Sequence, residues 1–188
     1  MTSQLIHDRF EEIRPNDIGD TEMLDRLAVI VLGTRNSGKS TTWNRLFDAT
    51  VRTGKYQRSL YLNRAQYVDV FVINASPEET ETEVGDILPD PLPQIVLCSV
   101  QYRDDAADTF RYFLQNGYEL FVQWLNPGYA DIGKYADDLG LKDFLLTKGA
   151  TLQQRSGVRH QARRVNEIRQ YILGWVTYRN LVHTQFPT

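Results

Sequence analysis

One cysteine, two methionines and three histidines are all that a chain of 188 residues offers in thiol, thioether and imidazole chemistry. A lone thiol excludes an internal disulfide framework and a zinc site built on several cysteines of one chain. Cys98 lies in the apolar run IVLC and reads as a small buried hydrophobe. His7, His160 and His183 share no spacing with carboxylates that suggests zinc, and no Ser-His-Asp arrangement can be argued. An excess of one charge is also missing. The 21 Lys plus Arg face 24 Asp plus Glu, a formal net charge of −3, so a chain-wide attraction to nucleic acid or anionic lipid has no basis. No stretch approaches the roughly 20 apolar residues of a membrane-spanning helix, and the start, MTSQLIHDRFEEIRP, is too polar for a secretory signal. The expectation is a cytoplasmic protein without a membrane span. A hydrophobic content of 41% and a charged content of 24% fit one globular domain.

What is present is concentrated early. Residues 27–32, LAVIVL, form a continuous apolar run rich in β-branched residues, the pattern of a strand buried on both faces of a parallel sheet. Directly after it come Gly33, Thr34, Arg35, Asn36, Ser37, Gly38, Lys39, Ser40 and Thr41, which match G-x-x-x-x-G-K-[ST] at every fixed position. Glycines let such a loop curl until successive backbone N–H groups point at phosphate oxygens, and a bulkier residue at Gly38 would obstruct that approach. Lys39 then supplies a cation for the β- and γ-phosphates, and the Ser40 hydroxyl a ligand for Mg²⁺. A helix N-terminus adds its positive end. Trp43, Leu46 and Phe47 recur at helical spacing, so a helix is expected where the motif needs one.

Further along, residues 56–62 and 67–73 are extended segments separated by a short polar gap, which predicts an antiparallel hairpin. A strand over 94–100 leads into a helical stretch that Asp104 or Asp105 would cap at its start and Gly117 would end. Another strand, 119–125, stops at Asn126-Pro127-Gly128. Residues 131–146 read as one or two short helices, 149–154 as a last short strand, and 159–182 as a long helix with Val165, Ile168, Ile172, Trp175 and Val176 along one face. Residues 1–26 form an N-terminal helical extension ahead of a nucleotide-binding domain over 27–188.

With its motif and this order of elements, the chain resembles the P-loop NTPases, and the hairpin after the first helix resembles the Ras-like small GTPases. The resemblance implies an α/β, three-layer fold: a mostly parallel sheet with one antiparallel hairpin strand and helices on both faces. It implies binding of GTP or ATP with Mg²⁺ at residues 33–41, a catalytic role for Lys39, and Ser40 and Thr53 as metal ligands, with Thr50 equally within reach. It also implies that the second hairpin strand lies beside the first strand. Asn74 would then face the metal, and Asn74→Asp would strengthen Mg²⁺-dependent binding.

Two family motifs are altered. Where D-x-x-G is expected, residues 74–79 read NASPEE, and where N-K-x-D is expected, residues 126–129 read NPGY. Asn74 carries no charge and Pro77 no N–H, terms that matter more to rate than to affinity. Either hydrolysis is slow or absent, or Glu78, Glu79 or a partner completes the site, with Asp104 a further candidate. The expected role is a nucleotide-dependent switch or slow regulatory NTPase acting through a protein partner. The alternatives are a small ATP-dependent phosphotransferase and a non-hydrolysing interaction module.

Two surroundings complete the reading. Residues 77–93 are acidic, proline-containing and aperiodic, and read as a flexible surface loop at the position of a second switch. Arg155, Arg159, His160, Arg163 and Arg164 crowd the start of the last helix, where cations oppose the helix dipole. Their candidate ligands are a nucleotide phosphate, an acidic segment of a partner or nucleic acid, and the alternative is a solvated face.

Overall fold

Strand β1 (Arg26–Gly33) leaves nothing of residues 27–32 to solvent, which explains why its apolar run shows no alternation. The computed structural model describes residues 26–128 and 137–185. The proposed N-terminal extension, apart from Arg26, and the first part of the 131–146 segment lie outside them. After β1 come α1 (Lys39–Phe47), the hairpin β2 (Arg58–Tyr61) and β3 (Gln66–Ile73), and two short helical turns, α2 (Pro77–Thr80) and α3 (Val84–Ile87). Then follow β4 (Ile95–Gln101), α4 (Ala106–Gln115), β5 (Tyr118–Leu125), α5 (Leu141–Thr147), β6 (Thr151–Arg155), α6 (Gln161–Tyr178) and β7 (His183–Thr184).

The sheet is mostly parallel and runs β2-β3-β4-β1-β5-β6, with β7 also pairing β3. Among the described residues, antiparallel pairing is confined to β2 and β7 against β3. In β1, Ala28, Ile30 and Leu32 point to the face covered by Phe110 and Phe113 of α4 and by Leu141 and Leu145 of α5. Leu27, Val29 and Val31 point to the opposite face, under Trp43 and Leu46 of α1 and Ile168 and Ile172 of α6. The hairpin, the helix before β5 and the apolar face of the last helix thus stand where the residue patterns put them.

Strand order departs from expectation. β3 does not lie beside β1, because β4 stands between them, with Val96, Leu97 and Cys98 paired to Phe71, Val72 and Ile73 on one side and to Ala28, Val29 and Ile30 on the other. The apolar sequence of β4 suits either interior position, and a connection containing α2 and α3 reaches either neighbour, so hydrophobicity alone does not distinguish them.

Other differences are local. Residues 77–93 are not wholly a surface loop: Pro77, Glu78, Val84 and Leu88 are buried, and the two helical turns pack on β4 and α4 while much of the segment between and after them stays exposed. Its apolar residues are too irregularly spaced to register as an element. Asp105 takes the N-cap position of α4 but makes no capping bond, whereas Gly117 follows the helix at φ +74°, as expected. α6 is shorter at both ends than residues 159–182: His160 at φ 53° precedes it, and Asn180 at φ 56° turns the chain toward β7, the true last strand.

Midway along α1 a buried polar contact ties the helix to β4: the Trp43 indole N–H donates to Ser99 Oγ at 2.9 Å, both side chains being fully buried. Ser99→Ala leaves that N–H without its partner and should lower stability by about 1–3 kcal/mol. Urea unfolding checks this, and an unchanged midpoint would show that the contact is dispensable.

Candidate functional site

The connection from β1 to α1 lies at the C-terminal ends of the parallel strands, where open α/β sheets place their ligands. Its turn is made by residues that tolerate a left-handed backbone, Asn36 at φ 59° and Gly38 at φ 99°. A Cβ on Gly33 would run into the Ser37 side chain, which is itself fully buried. No side chain caps α1. Its first-turn N–H groups therefore have no intrahelical acceptor and no side-chain cap.

Lys39 opens this helix and is only 6% exposed. Its Nζ donates to the carbonyl oxygens of Thr34, at 2.9 Å, and Gly33, at 3.3 Å, and lies 3.9 Å from Glu79 Oε1. Burial lowers its pKa from the ordinary lysine value, and the nearby carboxylates of Glu79 and Glu78 oppose that shift. Ser40 is exposed on the first helical turn, and Thr41 is half-buried.

Two acidic neighbours come from α2 and differ in environment. Glu79 is accessible and faces the Lys39 ammonium. Glu78 is buried, accepting the Gln101 N–H at 3.0 Å and the Thr109 hydroxyl at 2.6 Å. Burial raises its pKa above the usual carboxylate value, while both hydrogen bonds favour the ionised form. Gln101 in turn pairs with Gly33 across β4 and β1. Glu78 and Gln101 thereby connect α2 to the end of β1.

Thr53 and Asn74 are engaged with each other's segments. Thr53 Oγ1 accepts the N–H groups of Asn74 and Ala75, at 3.0 and 3.2 Å. Asn74 Nδ2 donates to the Val51 carbonyl at 2.5 Å. The expected metal role of Asn74 rested on β3 lying next to β1, and with β4 interposed that basis is gone. Asn74→Asp removes the donor and sets a carboxylate against a carbonyl oxygen, so its expected effect is now destabilisation rather than stronger binding.

On the far side of β1, the loop after β6 closes against the glycine-rich segment and is held to the loop after β5. A Cβ on Gly157 would collide with the Ser37 carbonyl oxygen, and the Gly157 N–H donates to the Pro127 carbonyl at 2.8 Å. Behind them Arg164, 1% exposed, donates to Thr42 Oγ1 and to the Gly157 carbonyl. Arg164 lies four and eight residues before Ile168 and Ile172, so helical spacing marked its burial, although its charge argued against it. For Gly157 and Gln101 the sequence carries no comparable signal.

A cavity of 470 Å³ lies between α2, α3 and α4 and is lined in part by Glu78, Glu83 and Asp108, so it adjoins Glu78 rather than residues 33–41. Among the described residues no group of three or more His, Cys, Asp or Glu could hold a metal ion, and no helix is long and apolar enough to cross a membrane. Cys98 is buried, as expected. Compared with known proteins, the chain matches no family model, no curated protein and no solved structure.

Because its folded pKa is raised, Glu78 contributes stability below the ordinary carboxylate range and loses it as pH rises through its folded value. Glu78→Gln stays neutral throughout. Its stability relative to the parent should therefore increase between about pH 4 and pH 7. Urea midpoints across that range test this, and a constant difference would show that Glu78 titrates normally.

Proposed function

We propose that this chain binds a nucleoside triphosphate at residues 33–41 and works as a nucleotide-dependent switch or slow regulatory NTPase. One observation carries the reading. An uncapped helix opens on a left-handed glycine, with a buried lysine ammonium at the end of the central strand. Helix N–H groups, the dipole and a fixed cation together form a receptor for phosphate oxygens. In this account the ammonium leaves the Gly33 and Thr34 carbonyls for the β- and γ-phosphates.

Mg²⁺ fits the oxygen donors at hand. It takes few protein ligands, retains water and binds phosphate oxygens, so a hydroxyl and one carboxylate suffice. Ser40 would supply the hydroxyl, and Glu79, the accessible carboxylate beside Lys39, takes the place first considered for Asn74. Thr53 is the weaker candidate, because its oxygen already accepts two N–H groups. The bound ion would offset phosphate charge. GTP is favoured by the chain order of elements, which resembles the small GTPases although the strand order does not, and ATP by the absence of a guanine-reading Asp after Asn126.

Slow turnover follows from the same inventory. Glu78 is committed to Gln101 and Thr109, and Pro77 has no N–H to offer a γ-phosphate. The phosphotransferase alternative relied on Arg155 and Arg159 closing over the phosphates, but Arg155 is held by Glu167 at 2.6 Å.

Lys39→Ala removes charge-assisted bonds worth roughly 1.5–3 kcal/mol and should weaken triphosphate binding about 10- to 150-fold. Calorimetry with ATP and GTP tests the assignment, and affinity equal to the parent's would refute it. Phosphate release by the parent chain alone should stay below about 1 s⁻¹. Turnover at tens per second would mean that another residue completes the catalytic set.

A further inference from the structure

We infer that the cavity of 280 Å³ where β6 meets α6 is a second anion site, which takes a phosphate or pyrophosphate group. It is lined by Arg155, Ser156, Arg159, His160, Arg163 and Arg164. Four guanidinium groups thus converge within ten residues of chain, from two elements and the turn between them. Glu167 pairs with two of them, meeting Arg155 at 2.6 Å and Arg163 at 3.4 Å. Arg159 makes no ion pair among the described residues.

The floor of this cavity is built rather than merely charged. Arg164 is 1% exposed and fixed by its bonds to Thr42 Oγ1 and the Gly157 carbonyl. Ser156 Oγ holds the rim by accepting the N–H groups of Val158 and Arg159, at 3.3 and 3.1 Å. α6 starts here without a side-chain cap and without an acid in its first turn. An anion in the cavity would relieve the repulsion among the cations and between them and the helix dipole.

Ligand chemistry follows from size and charge. The lining holds no aliphatic side chain and no Phe, Tyr or Trp against which a base would stack, so the site suits one or two phosphoryl groups rather than a base. Several guanidinium forks match the many oxygens of a phosphate dianion better than the two of a carboxylate. A concave site floored by a buried arginine, on a chain of net charge −3, favours a small anion over a nucleic-acid backbone. The site also bears on the glycine-rich loop: Arg164 holds Gly157, whose backbone packs on Ser37, and it holds Thr42 of α1. Occupancy would therefore stiffen the surroundings of residues 33–41 from behind.

This inference stands apart from the proposed triphosphate site, and the test separates them. Calorimetric titration with pyrophosphate should give two equivalents for the parent and one for Lys39→Ala. Arg159→Gln/Arg163→Gln, at exposed positions, should retain only the Lys39-dependent equivalent. Combining all three substitutions should leave no equivalent bound at concentrations that saturate the parent. If the arginine substitutions leave stoichiometry and affinity unchanged, the inference fails, whatever Lys39→Ala does. If Lys39→Ala changes nothing while the arginine pair abolishes binding, the second site stands and the loop assignment falls. Should Lys39→Ala not fold, loss of one equivalent between the parent and the arginine pair still supports the second site. A short single-stranded oligonucleotide that binds through the same arginines at least tenfold more tightly than pyrophosphate would overturn the small-anion assignment.

Discussion

A lysine ammonium withdrawn from water needs compensation on every side, and Lys39 receives it from two carbonyl oxygens and a carboxylate. Those partners dictate much of what surrounds them. The carbonyls belong to the last residue of β1 and the next, so the loop must curl back over its own strand, which Asn36 and Gly38 permit through positive φ. The carboxylate belongs to α2, so the segment after β3 must come down onto the strand ends instead of ranging over the surface. Glu78 fastens it there through Gln101 and Thr109. In the proposed function, phosphates replace this provisional compensation, and the carboxylate released from Lys39 is free to act on metal or water.

Sheet order decides which residues share that space. With β4 between β3 and β1, the end of β3 is displaced by one strand from the glycine-rich loop, and the end of β4, Gln101, comes beside it. The chain order of elements fits a small-GTPase plan, but the lateral order does not. In the proposed function, the acidic role expected at Asn74 therefore passes to α2. On the other side of β1 the loop after β6 packs directly on Ser37, and only a glycine at 157 allows that approach.

Much of this was legible beforehand, and unevenly so. β1 declared itself because burial on both faces removes alternation, and α6 because Val165, Ile168, Ile172 and Val176 repeat at helical spacing. The loop motif could be read because its geometry requires glycine at fixed places. What stayed hidden was relational. No residue of β4 signals which strand it pairs with, since a run such as IVLCSV satisfies either neighbour. Glu78 looked like one member of an acidic loop, because a burial enforced by Thr109, thirty-one residues away, leaves no periodic trace. Arg164 was visible as a charge near a helix start, yet its burial shows only in its phase with Ile168 and Ile172.

In the proposed function, phosphates replace the internal partners of Lys39. Backbone amide chemical shifts recorded during titration with a Mg²⁺–triphosphate test it most directly. Saturable shifts are expected, largest at Ser37, Gly38, Lys39 and Ser40, with smaller ones at Glu79. Shifts absent from these amides at saturating ATP and GTP, or confined to other parts of the chain, would contradict it.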